Sequence, residues 1–112
     1  MWVALGRSAF QLGDFKRAEL SVRRALAMDP DNGEARLLMG YLRLKQNKLQ
    51  EALVCFQRAS NADKSDTTSL CMVGYTLQKL GRREEAARYY AKALKLKPAD
   101  DMAKKLLASV AE

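Results

Sequence analysis

Apolar residues along this chain recur at helical spacing, in segments broken by short polar or glycine-containing stretches. Over 2–12, Trp2, Leu5, Ala9 and Leu12 fall on one stripe, which predicts a helix. Gly13-Asp14 interrupts it, and Ala18, Val22 and Ala25 then predict a second helix over 15–28. Asp29-Pro30-Asp31 ends that helix, because proline cannot continue the hydrogen-bond ladder and aspartate can cap the next helix. The same alternation predicts helices over 33–46 and 49–62, with a turn at Asn47-Lys48, and over 67–80 and 83–96, with a turn at Gly81-Arg82. A seventh helix is expected over 100–112, with Met102, Leu106, Leu107 and Val110 on one face. Asp100 or Asp101 would sit near its positive N-terminal end. Asp63-Lys64-Ser65-Asp66 stops the fourth helix without a proline. It lacks the acidic spacing, central glycine and terminal glutamate of a calcium hand, so it reads as a cap and turn.

These segments repeat. Leu5-Gly6, Met39-Gly40 and Val73-Gly74 are 34 residues apart, and so are Ala18, Ala52 and Ala86, then Val22, Phe56 and Tyr90, then Ala25, Ala59 and Ala93. A fixed period of this length reads as an array of helical hairpins, each packing on its neighbours. The glycines imply close approach by an antiparallel neighbour, since a mid-helix glycine costs about 0.5–1 kcal/mol relative to alanine and needs a packing reason. Phe56 and Tyr90 are expected to fill space between hairpins, and Met28, Met39, Met72 and Met102 to fill gaps in the core.

The recurring residues resemble the tetratricopeptide repeat: Trp2, Leu5, Gly6, Ala18, Ala25 and Pro30 in the first unit, then Gly40, Ala52, Phe56 and Ala59, then Gly74, Ala86, Tyr90, Ala93 and Pro98. The match runs through residues 2–98 in one frame. It departs at Arg36 and Leu70 for the tryptophan, Val22 for the aromatic and Lys64 for the proline. The resemblance implies an all-α fold, a right-handed α-solenoid of three antiparallel hairpins (about 1–32, 33–66 and 67–100) plus a seventh helix. By this register the first helix starts inside its repeat, so the chain is expected to be one domain cut from a longer array at its N-terminus. Whether 100–112 caps the array or opens another hairpin stays open.

In proteins of this family the first helix of each hairpin lines a concave groove that holds peptides or partner helices. Carried over by register, the groove would consist of Val3, Arg7, Phe10 and Gln11; Glu34, Leu37, Tyr41, Leu44 and Lys45; and Thr68, Cys71, Tyr75, Gln78 and Lys79. Tyr41 and Tyr75 share one repeat position, and Lys45 and Lys79 another. The implied surface is an apolar and aromatic floor edged by positive charge, suited to a partner with apolar anchors and acidic residues. The family's co-chaperones grip a C-terminal carboxylate with Lys, Asn, Asn, Lys and Arg. Here those positions hold Val3, Arg7, Leu38, Thr68 and Met72, which does not fit a chaperone-tail receptor of that kind.

The net charge of +7 changes the picture only slightly. Residues 1–63 hold 10 basic and 7 acidic side chains, and residues 64–112 hold 10 and 6. With no basic arm or stripe standing out, nucleic-acid binding ranks behind a protein partner. The chain has no histidine, which excludes histidine-dependent catalysis and most mixed zinc sites. Phosphate-cradling glycine loops and nucleophile elbows are also missing, so neither an enzyme nor a cofactor is expected. Cys55 and Cys71 form no ligand cluster or disulfide framework, and a reduced, cytoplasmic compartment is expected. Cys71 reads as a small packing residue rather than an activated thiol. Tyr89 reads as a surface residue. No apolar run is long enough to span a bilayer. A cut array could also self-associate through an unpaired apolar face.

Overall fold

The structure, a computed structural model, describes residues 1–111. Its helices are α1 (Trp2–Gln11), α2 (Phe15–Met28), α3 (Gly33–Lys45), α4 (Leu49–Ala62), α5 (Thr67–Lys79), α6 (Arg83–Leu96) and α7 (Asp101–Ala111). Three hairpins stack in chain order as an α-solenoid: α3 packs on α1 and α2, α5 on α4, and α7 on α5 and α6. Thus α7 meets the third hairpin with the partners that α3 has on the first. Glu112, the last residue of the expected seventh helix, lies outside the described residues.

Each hairpin turns through the same geometry. Gly13, Asn47 and Gly81 take φ of 83°, 58° and 84°, the left-handed region that ends a helix. The residue after each donates back across the turn, Asp14 N to Ala9 O (2.8 Å), Lys48 N to Arg43 O (2.8 Å) and Arg82 N to Leu77 O (2.9 Å). The helices consequently end one residue earlier than the apolar pattern predicts, with Leu12, Gln46 and Leu80 as C-caps.

The helix starts resolve the capping residues. Asp14, Asn32 and Asp66 accept from the backbone N–H of Arg17, Ala35 and Thr68. Asn32 rather than an aspartate therefore caps α3. Asp100 caps α7 by accepting from Ala103 N (3.1 Å), and its other oxygen accepts from Thr67 Oγ1 (2.7 Å). That second bond ties the start of α7 to the start of α5.

The repeated small residues make close packing possible. Ala18, Ala52 and Ala86 are fully buried, as are Val22, Phe56 and Tyr90. A Cβ built on Gly74 would lie 2.5 Å from Tyr90 Cε1, and one on Gly40 would lie closer still to Phe56 Cε1. The rings therefore seat against the glycine of their own hairpin. They also reach the next layer, because Phe56 shares a core cluster with Val73 and Leu77. Gly6 faces Val22 in place of a ring, and its Cβ would meet Leu38 Cδ2 and Val22 Cγ2 at 3.2 Å.

Several expected core positions are not buried. Leu5 and Leu12 are 51% and 85% exposed, because α1 turns Gly6 and Ala9 inward instead. Met39 fills a core gap as expected, but Met28 is 75% exposed at the end of α2 and Met102 is 41% exposed in the first turn of α7.

Candidate functional site

Val3, Arg7, Phe10 and Gln11 share one face of α1, and Glu34, Leu37 and Tyr41 one face of α3, because three- and four-residue steps stack side chains along a helix. Packing α3 on α1 brings the two faces together. They line one cleft of about 360 Å³, with Leu38 completing its floor. Leu38 is 6% exposed; the register names it as a clamp position but not among the groove residues. Its signal in the sequence was its place in the run Leu37-Leu38-Met39, where three adjacent apolar residues leave more than one helix face apolar.

The floor is an aromatic stack. The Phe10 and Tyr41 centroids lie 6.1 Å apart, and Tyr41 meets the buried Phe56 edge-on at 5.6 Å. Burial raises the Tyr41 hydroxyl above its ordinary pKa, with Asp66 adding to the effect, so it stays a neutral donor and acceptor. Across the mouth, Arg7 Nη2 and Glu34 Oε2 pair at 2.8 Å, both well exposed. Screened pairs of this kind contribute about 0–1 kcal/mol. A ligand carboxylate can compete for Arg7 without a large cost.

The remaining residues do not extend the cleft uniformly. Leu44 packs with Leu37 and Tyr41 against the core. Lys45 is exposed in the last turn of α3, where the helix dipole favours a cation. Thr68 is half-buried near the α5 N-terminus. Lys79 Nζ sits 5.1 Å over the Tyr75 ring, a cation–π contact. Tyr41 rests on Phe10 and Phe56 instead.

One groove expectation is corrected by burial, and a second residue is engaged by hydrogen bonds within the protein. Cys71 is fully buried with Leu70, Ala93 and Ala103, since α7 supplies Ala103 to the layer that covers it. Burial and the nearby Asp100 and Asp66 push its thiol up to about 11. It therefore serves as a packing residue of the core. Gln78 is committed within the protein: its Oε1 accepts from Tyr90 Oη (3.0 Å) and its Nε2 donates to Ser109 Oγ on α7 (3.0 Å). The third hairpin therefore presents a face partly closed by α7. Tyr89, expected at the surface, is half-buried and packs against the core.

Among the described residues, no group of three His, Cys, Asp or Glu side chains is placed to hold a metal ion. Among the same residues, no helix is long and apolar enough to cross a membrane.

Family models described as tetratricopeptide repeat match residues 3–66 and 67–100. A comparison with curated proteins returns no match. Among solved structures, a mutant O-GlcNAc transferase of Thermobaculum terrenum aligns with a TM-score of 0.91 and 26% identity over 97% of this chain. The chain spans only 21% of that protein. The second TPR domain of human RPAP3, solved with an HSP70 peptide, aligns with a TM-score of 0.87 and 25% identity, covering 96% of this chain and 89% of that one. The Arabidopsis OM64 TPR domain, 21% identical, shares the fold with a TM-score of 0.89 over 97% of this chain and 90% of its own.

Proposed function

This chain belongs to the tetratricopeptide repeat family, and from that premise we propose that its α1–α3 cleft holds a segment of a partner protein. The fold is a protein–protein interaction scaffold rather than an enzyme. The observation that carries the groove reading is the joining of Phe10, Leu37 and Tyr41 into an apolar floor beneath Arg7. A buried aromatic floor with a charged rim is the anatomy of an interface hot spot. The partner segment would place an apolar anchor on the Tyr41 ring and an acidic side chain on Arg7, displacing Glu34.

The RPAP3 domain's peptide supports binding of a peptide in this fold, but a chaperone tail held by its terminal carboxylate does not suit this chain. Leu38 and Met72 stand where the family's clamp has polar or basic groups, and Leu38 is buried in the cleft floor. Lys45, Tyr75 and Lys79 would contact the segment where it runs past the second hairpin. The partner is read as a protein, with nucleic acid second because the groove has one exposed guanidinium and an aromatic floor already packed on its neighbours.

The test is a pull-down from source lysate with wild type, Arg7→Ala and Tyr41→Ala/Tyr75→Ala, each checked for helicity. Proteins held by wild type at low and moderate salt, and lost from both variants, support the cleft. Equal retention by all three refutes it.

A further inference from the structure

The even-numbered helices carry a second repeated feature that the cleft does not use. Arg24, Arg58 and Lys92 are 34 residues apart, on α2, α4 and α6. Each repeat places the tryptophan-position residue 22 residues before this cation: Trp2, Arg36 and Leu70. In the first repeat the pair closes, with Arg24 Cζ 4.9 Å over the Trp2 ring. In the second, arginine replaces the tryptophan and cannot receive Arg58. Arg36 turns instead to Pro30 O, at 3.2 and 3.1 Å from Nε and Nη2.

The substitution leaves two guanidinium groups lining one depression of about 650 Å³, with Asp31 its one carboxylate. A second depression, of about 370 Å³, is lined by Lys64, Lys92 and Tyr89, with no carboxylate among its lining residues. Asn61 lines both, so the two depressions adjoin at α4 and together make a trough-like cationic surface. Among the described residues none of Arg36, Arg58, Lys64 and Lys92 is paired with a carboxylate, whereas Arg7, Arg17, Arg23, Arg43 and Arg82 all are. The trough shares no lining residue with the α1–α3 cleft.

We propose that this trough is a second docking surface, for an extended acidic segment of a partner protein. Charge selects an anionic occupant. Spacing and side-chain type favour peptide over nucleic acid. α4 and α6 both pack on α5 rather than directly on each other, so successive cations lie at an interval that an extended chain, advancing about 3.3 Å per residue, can span with carboxylates several residues apart. The Asn61 amide, within the trough, can both donate to and accept from a peptide backbone. Only one aromatic, Tyr89, is available for base stacking, and a handful of cations falls short of the 6–10 phosphate contacts typical of strong electrostatic nucleic-acid binding. The repeat would thus bind through two separate faces, one apolar and aromatic, the other cationic.

Fluorescence anisotropy tests this with a labelled nine-residue peptide carrying Glu at every third position among Gly and Ser, and with a dT12 oligonucleotide, at 50 mM salt. The expected result is saturable peptide binding, weakened on the order of tenfold by Arg58→Glu/Lys92→Glu. Lys16→Glu/Lys104→Glu changes net charge equally and should leave binding within about twofold. Arg7→Ala should also leave it unchanged, which separates this surface from the cleft. The proposal is overturned by absent peptide binding, by equal weakening in both charge-reversed proteins, by loss in Arg7→Ala, or by tighter binding of dT12 through the same two residues. Circular dichroism of each variant confirms the fold before titration.

Discussion

Replacing Gly40 with alanine adds one methyl group where the Phe56 ring already sits. The added Cβ would come within 2.8 Å of Phe56 Cζ, and closer to two further atoms of that ring. The ring is fully buried, so relief requires moving it or separating α3 from α4. Overpacking of this kind costs about 1–3 kcal/mol. Alanine recovers about 0.5–1 kcal/mol of helix propensity, which leaves a net loss of roughly 0–2.5 kcal/mol, in the upper half of that range because the clash is with a buried ring. The same change at Gly6 meets Leu38 Cδ2 and Val22 Cγ2 at 3.2 Å. Both are ends of aliphatic side chains that can give by a few tenths of an ångström, so the propensity gain offsets the contact and the net effect is about zero.

Urea and thermal denaturation followed by circular dichroism measure both variants. Gly40→Ala should lower the urea midpoint clearly, and Tm by about 4–8 °C per kcal/mol for a domain near this size. Gly6→Ala should leave both nearly unchanged. A double-mutant cycle identifies the cause. With Phe56→Val, which reproduces the residue facing Gly6, Gly40→Ala should cost less than in wild type, with a coupling energy of about 0.5–3 kcal/mol. Equal losses for Gly6→Ala and Gly40→Ala, or no coupling with Phe56→Val, would refute the packing argument.

Local chemistry sets three further outcomes. The Glu19 carboxyl is held below its ordinary 4.5, chiefly by its hydrogen bond from Arg43, with Arg23 helping and burial opposing. A lowered folded pKa contributes stability that is full above the unfolded value and is lost as pH falls through the folded one. Glu19→Gln should therefore flatten the loss of urea resistance below about pH 4.5 and lower stability at pH 7; an unchanged acid limb would contradict this. Burial raises both thiols, and Cys71 reaches about 11, so a thiol reagent at pH 8 should modify half-buried Cys55 first and reach Cys71 only on unfolding; simultaneous labelling of the native protein would refute it. Gly81 sits at φ 84°, so Gly81→Ala should cost about 1–2 kcal/mol in a urea titration, and a stabilised variant would show that the turn rearranges.

What the sequence discloses depends on whether a residue's role is set within its own repeat. Gly40 and Phe56 recur as Gly74 and Tyr90, and the structure packs each pair together. The turns were legible for the same reason, although only the structure shows that Asn47 adopts the conformation of Gly13 and Gly81. The burial of Cys71 and the Ser109 contact of Gln78 were not legible, because those surroundings come from α7, which lies outside the repeat register. Ala103 covers the cysteine's layer and Ser109 engages the glutamine. Leu5 fits its motif position yet stays half exposed. In the later repeats the corresponding Met39 and Val73 are buried.

The departures from the repeat pattern differ in what they do to the molecule. Val22 in place of an aromatic relaxes the contact with Gly6 and stays inside the core. Arg36 in place of tryptophan has the opposite consequence. A tryptophan there could receive Arg58 as Trp2 receives Arg24, and the cation would then lie flat on the hairpin. Arginine repels Arg58 and sends its own guanidinium to Pro30 O, so charge remains in the trough beside α4. The cost is borne by a partly exposed position, where one lost aromatic contact matters less than in the core. Restoring the aromatic with Arg36→Trp should therefore stabilise the hairpin and weaken acidic-peptide binding together. A variant that gains stability but keeps its peptide affinity would show that the trough does not depend on the displaced Arg58.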